Sequence, residues 1–300
     1  GNYEKRPERV KKGDTILLSD GRIELRVQGV SGKDIVTKVL IGGPLSPIKG
    51  INLPTSSIDT PAFTDRDRKA LSFGIENGVD IAALSFVQSA RDVDDVRRFI
   101  KRKKTDIPVI AKIEKHEALE NIDKILEIVD GIMVARGDLG VEIPLEQVPI
   151  EQKVLINKAG RAGKIVITAT QMLKSMVDNA RPTRAEAADV TNAILDGTDA
   201  IMLSEETAVG NYPDRAVTIM SKISRYTIRS APFTGLIKRV RSAAPSEESD
   251  SVCLAACNIA DNINAGAIVV FTDSGTTAGH ISRYRPRQPI IALTPRSVTC

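Results

Sequence analysis

Residues 130–140, Asp130-Gly131-Ile132-Met133-Val134-Ala135-Arg136-Gly137-Asp138-Leu139-Gly140, decide how this chain is read. A short apolar run bounded by polar residues reads as a strand buried on both faces. It passes directly into a turn in which glycines let backbone N–H groups approach a ligand closely and Asp138 supplies a carboxylate. Working outward, similar apolar segments recur at residues 80–87, 107–113, 164–168 and 199–203. Between them lie residues at helical spacing, such as Val93, Val96, Phe99 and Ile100, then Leu119, Ile122, Ile125 and Leu126. One β-α unit every 23 to 35 residues predicts a parallel sheet with helices outside.

In such a sheet the residues just past each strand gather at one face. Here they are Ser85 and Gln88, Lys112 and Glu114, Arg136 and Asp138, Thr170 and Gln171, Ser204 and Glu205. Polar, chemically capable residues at five consecutive strand ends predict a shared site there. Lys112 and Glu114 are two apart on a strand and so point the same way. Alone they read as an ordinary structural ion pair. With Asp138 on the next strand end, Glu114 can share a hard divalent cation, since Mg²⁺ uses one or two carboxylates and completes its shell with water and substrate oxygens. Thr170-Gln171 and Ser204-Glu205-Glu206-Thr207 add hydroxyls that bind a carboxylate, relay a proton or cap a helix. Thr183-Arg184-Ala185-Glu186 after Pro182 is a capping box; Arg181 and Arg184 also suit a subunit contact.

The flanks differ from this repeat. In the first sixty residues apolar residues alternate in short runs, Ile16 and Leu18, then Ile23, Leu25 and Val27, broken by Ser19-Asp20-Gly21 and Ser31-Gly32-Lys33-Asp34. That is a small β module. Gly42-Gly43-Pro44, Pro47, Gly50, Pro54 and Pro61 mark its exit. Past Tyr226 a looser stretch leads to an apolar helix over 252–263, a strand over 267–271, the loop Thr272-Asp273-Ser274-Gly275-Thr276-Thr277, a helix toward Tyr284 and a strand over 289–293.

Composition narrows the function classes. Of 300 residues, 42 Lys+Arg against 38 Asp+Glu leave a net charge of +4, with 27% charged and 42% hydrophobic, a balance that suits a folded soluble protein. The apolar runs are far short of the ~20 residues of a membrane span, and no charged-then-apolar leader opens the sequence. Cys253, Cys257 and Cys300 are too few for a disulfide framework, which fits a reducing compartment, the cytoplasm. Cys253 and Cys257 share a helix face and read as core; His116 and His280 are lone histidines. With no Trp, 6 Phe and 4 Tyr, there are few aromatic faces for unpaired bases. The basic run Arg97-Arg98 with Lys101 to Lys104 reads as a solvated helix face, so no nucleic-acid partner is expected.

The motifs Lys112-Ile113-Glu114, residues 130–140, Ala169-Thr170-Gln171-Met172-Leu173, Arg181-Pro182-Thr183-Arg184-Ala185-Glu186, and Met202-Leu203-Ser204 through Gly210 together resemble the pyruvate kinase family. The resemblance runs in order from Gly13-Asp14 to the last residue and includes Lys49-Gly50-Ile51-Asn52-Leu53-Pro54. It implies an α/β fold: a partial (β/α)8 TIM barrel with an inserted all-β lid domain and a truncated C-terminal α/β regulatory domain. The lid is expected over 1–55, the later barrel over 56–230 and the regulatory domain over 231–300. On this reading the first three barrel strands, with their substrate and K⁺ ligands, and the second half of the regulatory sheet lie outside these residues.

The activity implied is the last step of glycolysis, phosphoenolpyruvate plus ADP giving pyruvate and ATP. Residue by residue, the resemblance makes Lys112, Thr170 and Ser204 catalytic, and places Glu114 and Asp138 on Mg²⁺ or Mn²⁺. Lys112, Gly137, Asp138 and Thr170 bind substrate, and Lys49 contacts nucleotide. Thr272, Ser274, Gly275, Thr276 and Thr277 match the phosphate loop of an allosteric effector site. Asp273 beside that loop disfavours fructose 1,6-bisphosphate and leaves a sugar or nucleotide monophosphate. The resemblance also implies K⁺ dependence and a homotetramer. Glu205 departs from it, standing where a glycine is common. The competing readings are an inactive remnant that keeps oligomer or effector binding, and a metal-dependent lyase acting on phosphoenolpyruvate or pyruvate.

Overall fold

The computed structural model describes residues 10–19, 21–45, 50–54, 61–230, 237 and 248–299. Three sheets follow one another along the chain. The first is antiparallel, with β1 (Thr15–Leu18), β2 (Ile23–Ser31), β3 (Asp34–Ile41) and β4 (Ile51–Asn52) in the order β3-β2-β1-β4. Val10, Ile16, Val27 and Leu53 form its own small core.

The second sheet carries the site. β5 (Ala82–Leu84), β6 (Val109–Ile113), β7 (Gly131–Ala135), β8 (Ile165–Ala169) and β9 (Ala200–Met202) lie side by side in sequence order, each parallel to the next. The helices α1 (Asp65–Glu76), α2 (Ala90–Arg102), α3 (His116–Glu120), α4 (Ile122–Ile128), α5 (Arg136–Glu142), α6 (Val148–Arg161), α7 (Arg184–Asp196), α8 (Glu205–Ala208) and α9 (Pro213–Ile228) connect and flank them. Period-2 alternation separates the two faces of the sheet. Val109, Ala111, Ile113, Ile132 and Val134 pack outward against Val96, Ile100, Ile125 and Leu155, whereas Ile110, Met133 and Ala169 form a separate inner cluster. Gly131 marks the tightest point of that inner face: a Cβ there would lie 2.7 Å from Ile110 Cδ1 and 2.7 Å from the Ile165 carbonyl.

Sequence patterning places Asp130 and Asp199 inside strands; the structure places both just before them. Asp130 Oδ2 accepts from Val109 N at 2.7 Å, and Asp199 Oδ2 from Val166 N at 2.8 Å, so each acid ties its own strand to the start of the preceding one. A carboxylate that terminates a neighbour's free amide satisfies a donor the parallel ladder leaves open. Over residues 80–87 the strand is also shorter than patterning suggests, because Phe86 turns the chain with φ +56°. Around β5 the side chains of Phe73, Val79, Ile81 and Phe86 are exposed.

The third unit pairs β10 (Ile268–Phe271) with β11 (Ile290–Leu293) in parallel, flanked by α10 (Glu248–Asn262) and α11 (Thr276–Arg283). Its helix begins at Glu248, four residues before the first apolar residue that signals it. Cys253 and Cys257 are buried and free, in a cluster with Val270, Ile281 and Tyr284. Burial, with Asp250 nearby, raises the Cys253 thiol and pushes the Tyr284 phenol up to about 12. Arg283 donates to the Arg161 carbonyl at 3.0 Å and Arg285 pairs with Asp199 at 3.0 Å, joining this unit to the five-stranded sheet. Among the described residues no helix is long and apolar enough to cross a membrane. The expected boundaries at 55/56 and 230/231 touch residues outside the described ones.

Candidate active site

The residues that follow β5 to β9 meet at one end of the sheet. Lys112, the fourth residue of β6, is partly exposed; Glu114, just past the strand end, is 1% exposed. Lys112 Nζ lies 2.5 Å from Glu114 Oε1 and 3.0 Å from Ser85 Oγ, which follows β5. Glu114 Oε2 accepts from Phe86 N at 2.8 Å, a contact the positive φ of Phe86 sets up. A buried carboxylate is tolerated because it is both paired and hydrogen-bonded.

From β7 the chain enters α5 directly, so the backbone amides of Arg136, Gly137 and Asp138 form a helix's first turn. Gly137 N donates to Thr170 Oγ1 at 2.7 Å, and that hydroxyl donates in turn to the Ala169 carbonyl at 2.6 Å. Thr170 and Gln171 both sit in left-handed backbone, φ +69° and +55°, rather than capping a helix. For side chains with a Cβ such a pair is strained, and it persists only where surrounding contacts over-determine it.

Arg136 supplies those contacts. Its guanidinium pairs with Asp189 on α7 at 2.7 Å, reaches Gln152 on α6 at 3.3 Å and donates to the Thr170 carbonyl at 2.8 Å. Spacing places Arg136 in the strand-end set; one of its partners is a main-chain oxygen 34 residues away, which no spacing rule reveals. Glu206, in the sequence one member of the run after the fifth strand, has a role set by distant backbone. It is 1% exposed and accepts from Leu173 N at 3.0 Å and Ser204 N at 2.9 Å, fastening the turns after β8 and β9 together. Ser204 precedes α8 without capping it, and its Oγ is buried with no hydrogen-bond partner among the described residues. Glu205 pairs with Lys174 across the same turns.

Lys112, Glu114, Gly137, Asp138, Thr170 and Ser204 therefore lie at the same end of one sheet. Asp138, Ser85 and Lys115 share a cleft of about 880 Å³ with Gly50, Ile51 and Asn52 of the small sheet. Lys49 lies outside the described residues. Among those described, no three acids, histidines or cysteines are grouped to hold a metal. In the third unit, Thr272 Oγ1 accepts from Gly275 N at 3.0 Å, Ser274 and Thr276 hydroxyls are 2.8 Å apart, and Gly275 opens α11 with φ +84°. Asp273 pairs with Arg296 at 3.5 Å.

The chain matches the pyruvate kinase barrel domain over residues 2–217 and the pyruvate kinase alpha/beta domain over residues 250–300. It is 48% identical over 296 residues to pyruvate kinase 2 of Synechocystis sp., covering 98% of this chain and 49% of that protein. To the pyruvate kinase of Clostridium perfringens it is 46% identical over 297 residues, 98% of this chain and 63% of the relative. To that of Agrobacterium vitis it is 49% identical over 290 residues, 97% and 60%. The chain thus spans about half to less than two thirds of the length of these curated relatives.

Proposed function

This chain belongs to the pyruvate kinase family, and from that premise we propose that the protein carrying it transfers the phosphoryl group of phosphoenolpyruvate to ADP, giving pyruvate and ATP at the end of glycolysis. The observation that carries the reading is the Lys112 ammonium, held between Glu114 and Ser85 at the sheet's C-terminal end. Phosphoryl transfer asks little covalent chemistry of a protein and depends on positioning and charge neutralisation.

The P–O bond to the enol oxygen breaks, its electron pair stays on that oxygen, and a β-phosphate oxygen of ADP forms the new bond to phosphorus. The resulting enolate takes a proton at its methylene carbon. Lys112 faces the charge on the phosphoryl group and the enolate oxygen. The amides of Gly137 and Asp138 hold the substrate carboxylate, with the Thr170 hydroxyl exchanging its bond from Gly137 for one to substrate. Ser204, whose hydroxyl has no described partner, stands free to relay the proton, and Glu206 fixes its backbone.

Two carboxylates at the ends of neighbouring strands, those of Glu114 and Asp138, suit Mg²⁺ or Mn²⁺, which takes its remaining ligands from water and substrate. Glu114 and Asp138 are the residues we assign to it. When bound, such an ion neutralises charge on the phosphoryl oxygens. K⁺ is assigned to residues outside this sequence. We read the antiparallel sheet as a lid, the five strands as the later part of a (β/α)8 barrel, and the third unit as a regulatory domain whose Thr272–Thr277 loop takes a phosphorylated effector. Lys49 is assigned to nucleotide. A homotetramer in the cytoplasm completes the reading, supported by family and by cysteine usage.

The test measures pyruvate and ATP from phosphoenolpyruvate and ADP with Mg²⁺ and K⁺, in the full-length protein carrying these residues and in its Lys112→Met variant. Turnover in the first and its loss in the second supports the assignment. A folded full-length protein without turnover overturns it.

A further inference from the structure

Away from the reacting groups, one buried carboxylate joins the small sheet to the barrel. Glu142 is the last residue of α5, one helical turn past Asp138, and its side chain is 2% exposed. Its Oε1 accepts from Asn52 Nδ2 of β4 at 3.1 Å and from Lys115 Nζ at 2.8 Å. Its Oε2 is buried with no hydrogen-bond partner among the described residues, 3.8 Å from His116 Nδ1. Asn52 is 90 positions from Glu142, and Lys115 is 27.

A carboxylate taken out of water is costly unless paired, and Lys115, with its side chain 12% exposed, supplies the charge. That pairing alone would satisfy a structural acid within the barrel. Asn52 adds a bond that crosses to another sheet, and it does so at the short edge strand, since β4 contributes only Ile51 and Asn52 to pairing with β1. So short a strand has little ladder of its own to fix its height over the cleft. Ile51, Asn52, Lys115 and Asp138 line that cleft together. Glu142 thereby links the roof, the turn after Glu114 and the helix bearing Asp138.

We propose that Glu142 is a positioning residue: through Asn52 it holds β4 at a fixed height above Asp138 and Lys112, and so sets where the nucleotide sits relative to the phosphoryl group. The nucleotide part rests on the pyruvate kinase reading above, in which Lys49, three residues before Asn52, contacts ADP. The tie itself rests on geometry alone.

Two readouts on the full-length protein separate the two. The first is amide hydrogen exchange at residues 50–54 without ligands, which needs no activity. The second is the KM for ADP and for phosphoenolpyruvate alongside kcat. Glu142→Ala and Asn52→Ala are each expected to speed exchange at 50–54 and to raise the KM for ADP roughly tenfold, with the KM for phosphoenolpyruvate within about twofold of wild type. Glu142→Gln keeps the Oε1 acceptor and is expected to restore both. The double alanine variant should add little to either single one, because both remove one bond. Should Glu142→Ala fail to fold, Asn52→Ala still decides, since it leaves the Lys115 pair intact. Wild-type exchange at 50–54 in Asn52→Ala, or a KM rise equal for both substrates, overturns the proposal. A full-length protein that turns over nothing removes the nucleotide role, while exchange at 50–54 still decides whether the tie exists.

Discussion

The amide of Gly137 and the hydroxyl of Thr170 are 2.7 Å apart, so the first turn of the helix after β7 is gripped by the side chain that follows β8. The approach is close enough that a Cβ on residue 137 would stand 3.3 Å from Thr170 Oγ1. Two neighbouring strands thus present one surface, a helix amide and a hydroxyl, to whatever enters between them. On the proposed function that surface receives the substrate carboxylate.

Thr170→Val tests this with little change of shape. The variant keeps the branched side chain and loses the acceptor for Gly137 N. Removing one preorganised polar contact from a charge-developing site is expected to lower kcat/KM for phosphoenolpyruvate by about 10²-fold. Stability should fall by about 1–3 kcal/mol, since the hydroxyl's bond to the Ala169 carbonyl is lost together with the one from Gly137 N. Steady-state kinetics and urea melts on the same samples check both, and an unaltered kcat/KM counts against the role.

Lys112→Met isolates the cost of the buried acid. It strands Glu114, 1% exposed, with the Phe86 amide as the partner that the structure still supplies. Leaving one member of a buried pair alone costs about 3–5 kcal/mol, discounted here because Lys112 itself is 24% exposed. The variant is expected to melt lower than wild type without divalent cation and, on the proposed function, to regain much of the difference with Mg²⁺, which would then place charge beside Glu114 again. Melting curves with and without Mg²⁺ read this directly. Equal gains in wild type and variant would show that the metal does not sit at Glu114.

Arg136→Lys removes a fork while keeping a charge. The guanidinium serves Asp189, Gln152 and the Thr170 carbonyl at once, and an ammonium cannot match that planar geometry. With Asp189 34% exposed, the stability loss is expected to be about 1–3 kcal/mol. Activity should fall by more than that loss accounts for, because Thr170 is then free to leave its left-handed backbone. The comparison is between kcat at a temperature where both proteins are fully folded and the denaturation midpoints.

Legibility in the sequence followed the range of the interaction. Strands buried on both faces leave contiguous apolar runs, so β6, β7 and β8 stand out unaided, and the period-2 spacing of Lys112 and Glu114 predicts the ion pair observed at 2.5 Å. The capping box at Thr183 and Glu186 is local and is present as read. Interactions through backbone atoms of distant segments leave no such mark. Arg136 reaching the Thr170 carbonyl, Glu206 receiving the amides of Leu173 and Ser204, and Asp130 and Asp199 closing neighbouring strands all depend on register between strands, which composition does not encode.

Glu186 gives a prediction whose sign is set by its surroundings. Burial acts to raise its carboxyl, but hydrogen bonds from the Ser175 hydroxyl and amide and from Thr183 outweigh it and hold the group below its ordinary value of 4.5. The folded protein therefore binds fewer protons at this site than the unfolded chain in the interval just under pH 4.5. Its contribution is fully present above that value and is lost as pH falls through the depressed folded value. Glu186→Gln removes the charge and with it that part of the pH dependence. Wild type is expected to lose melting temperature faster than the variant on going from pH 5 to about pH 3, with the variant already the less stable at neutral pH because the amide replaces a carboxylate that caps α7 and receives Ser175. Parallel slopes across that range would place the titration elsewhere.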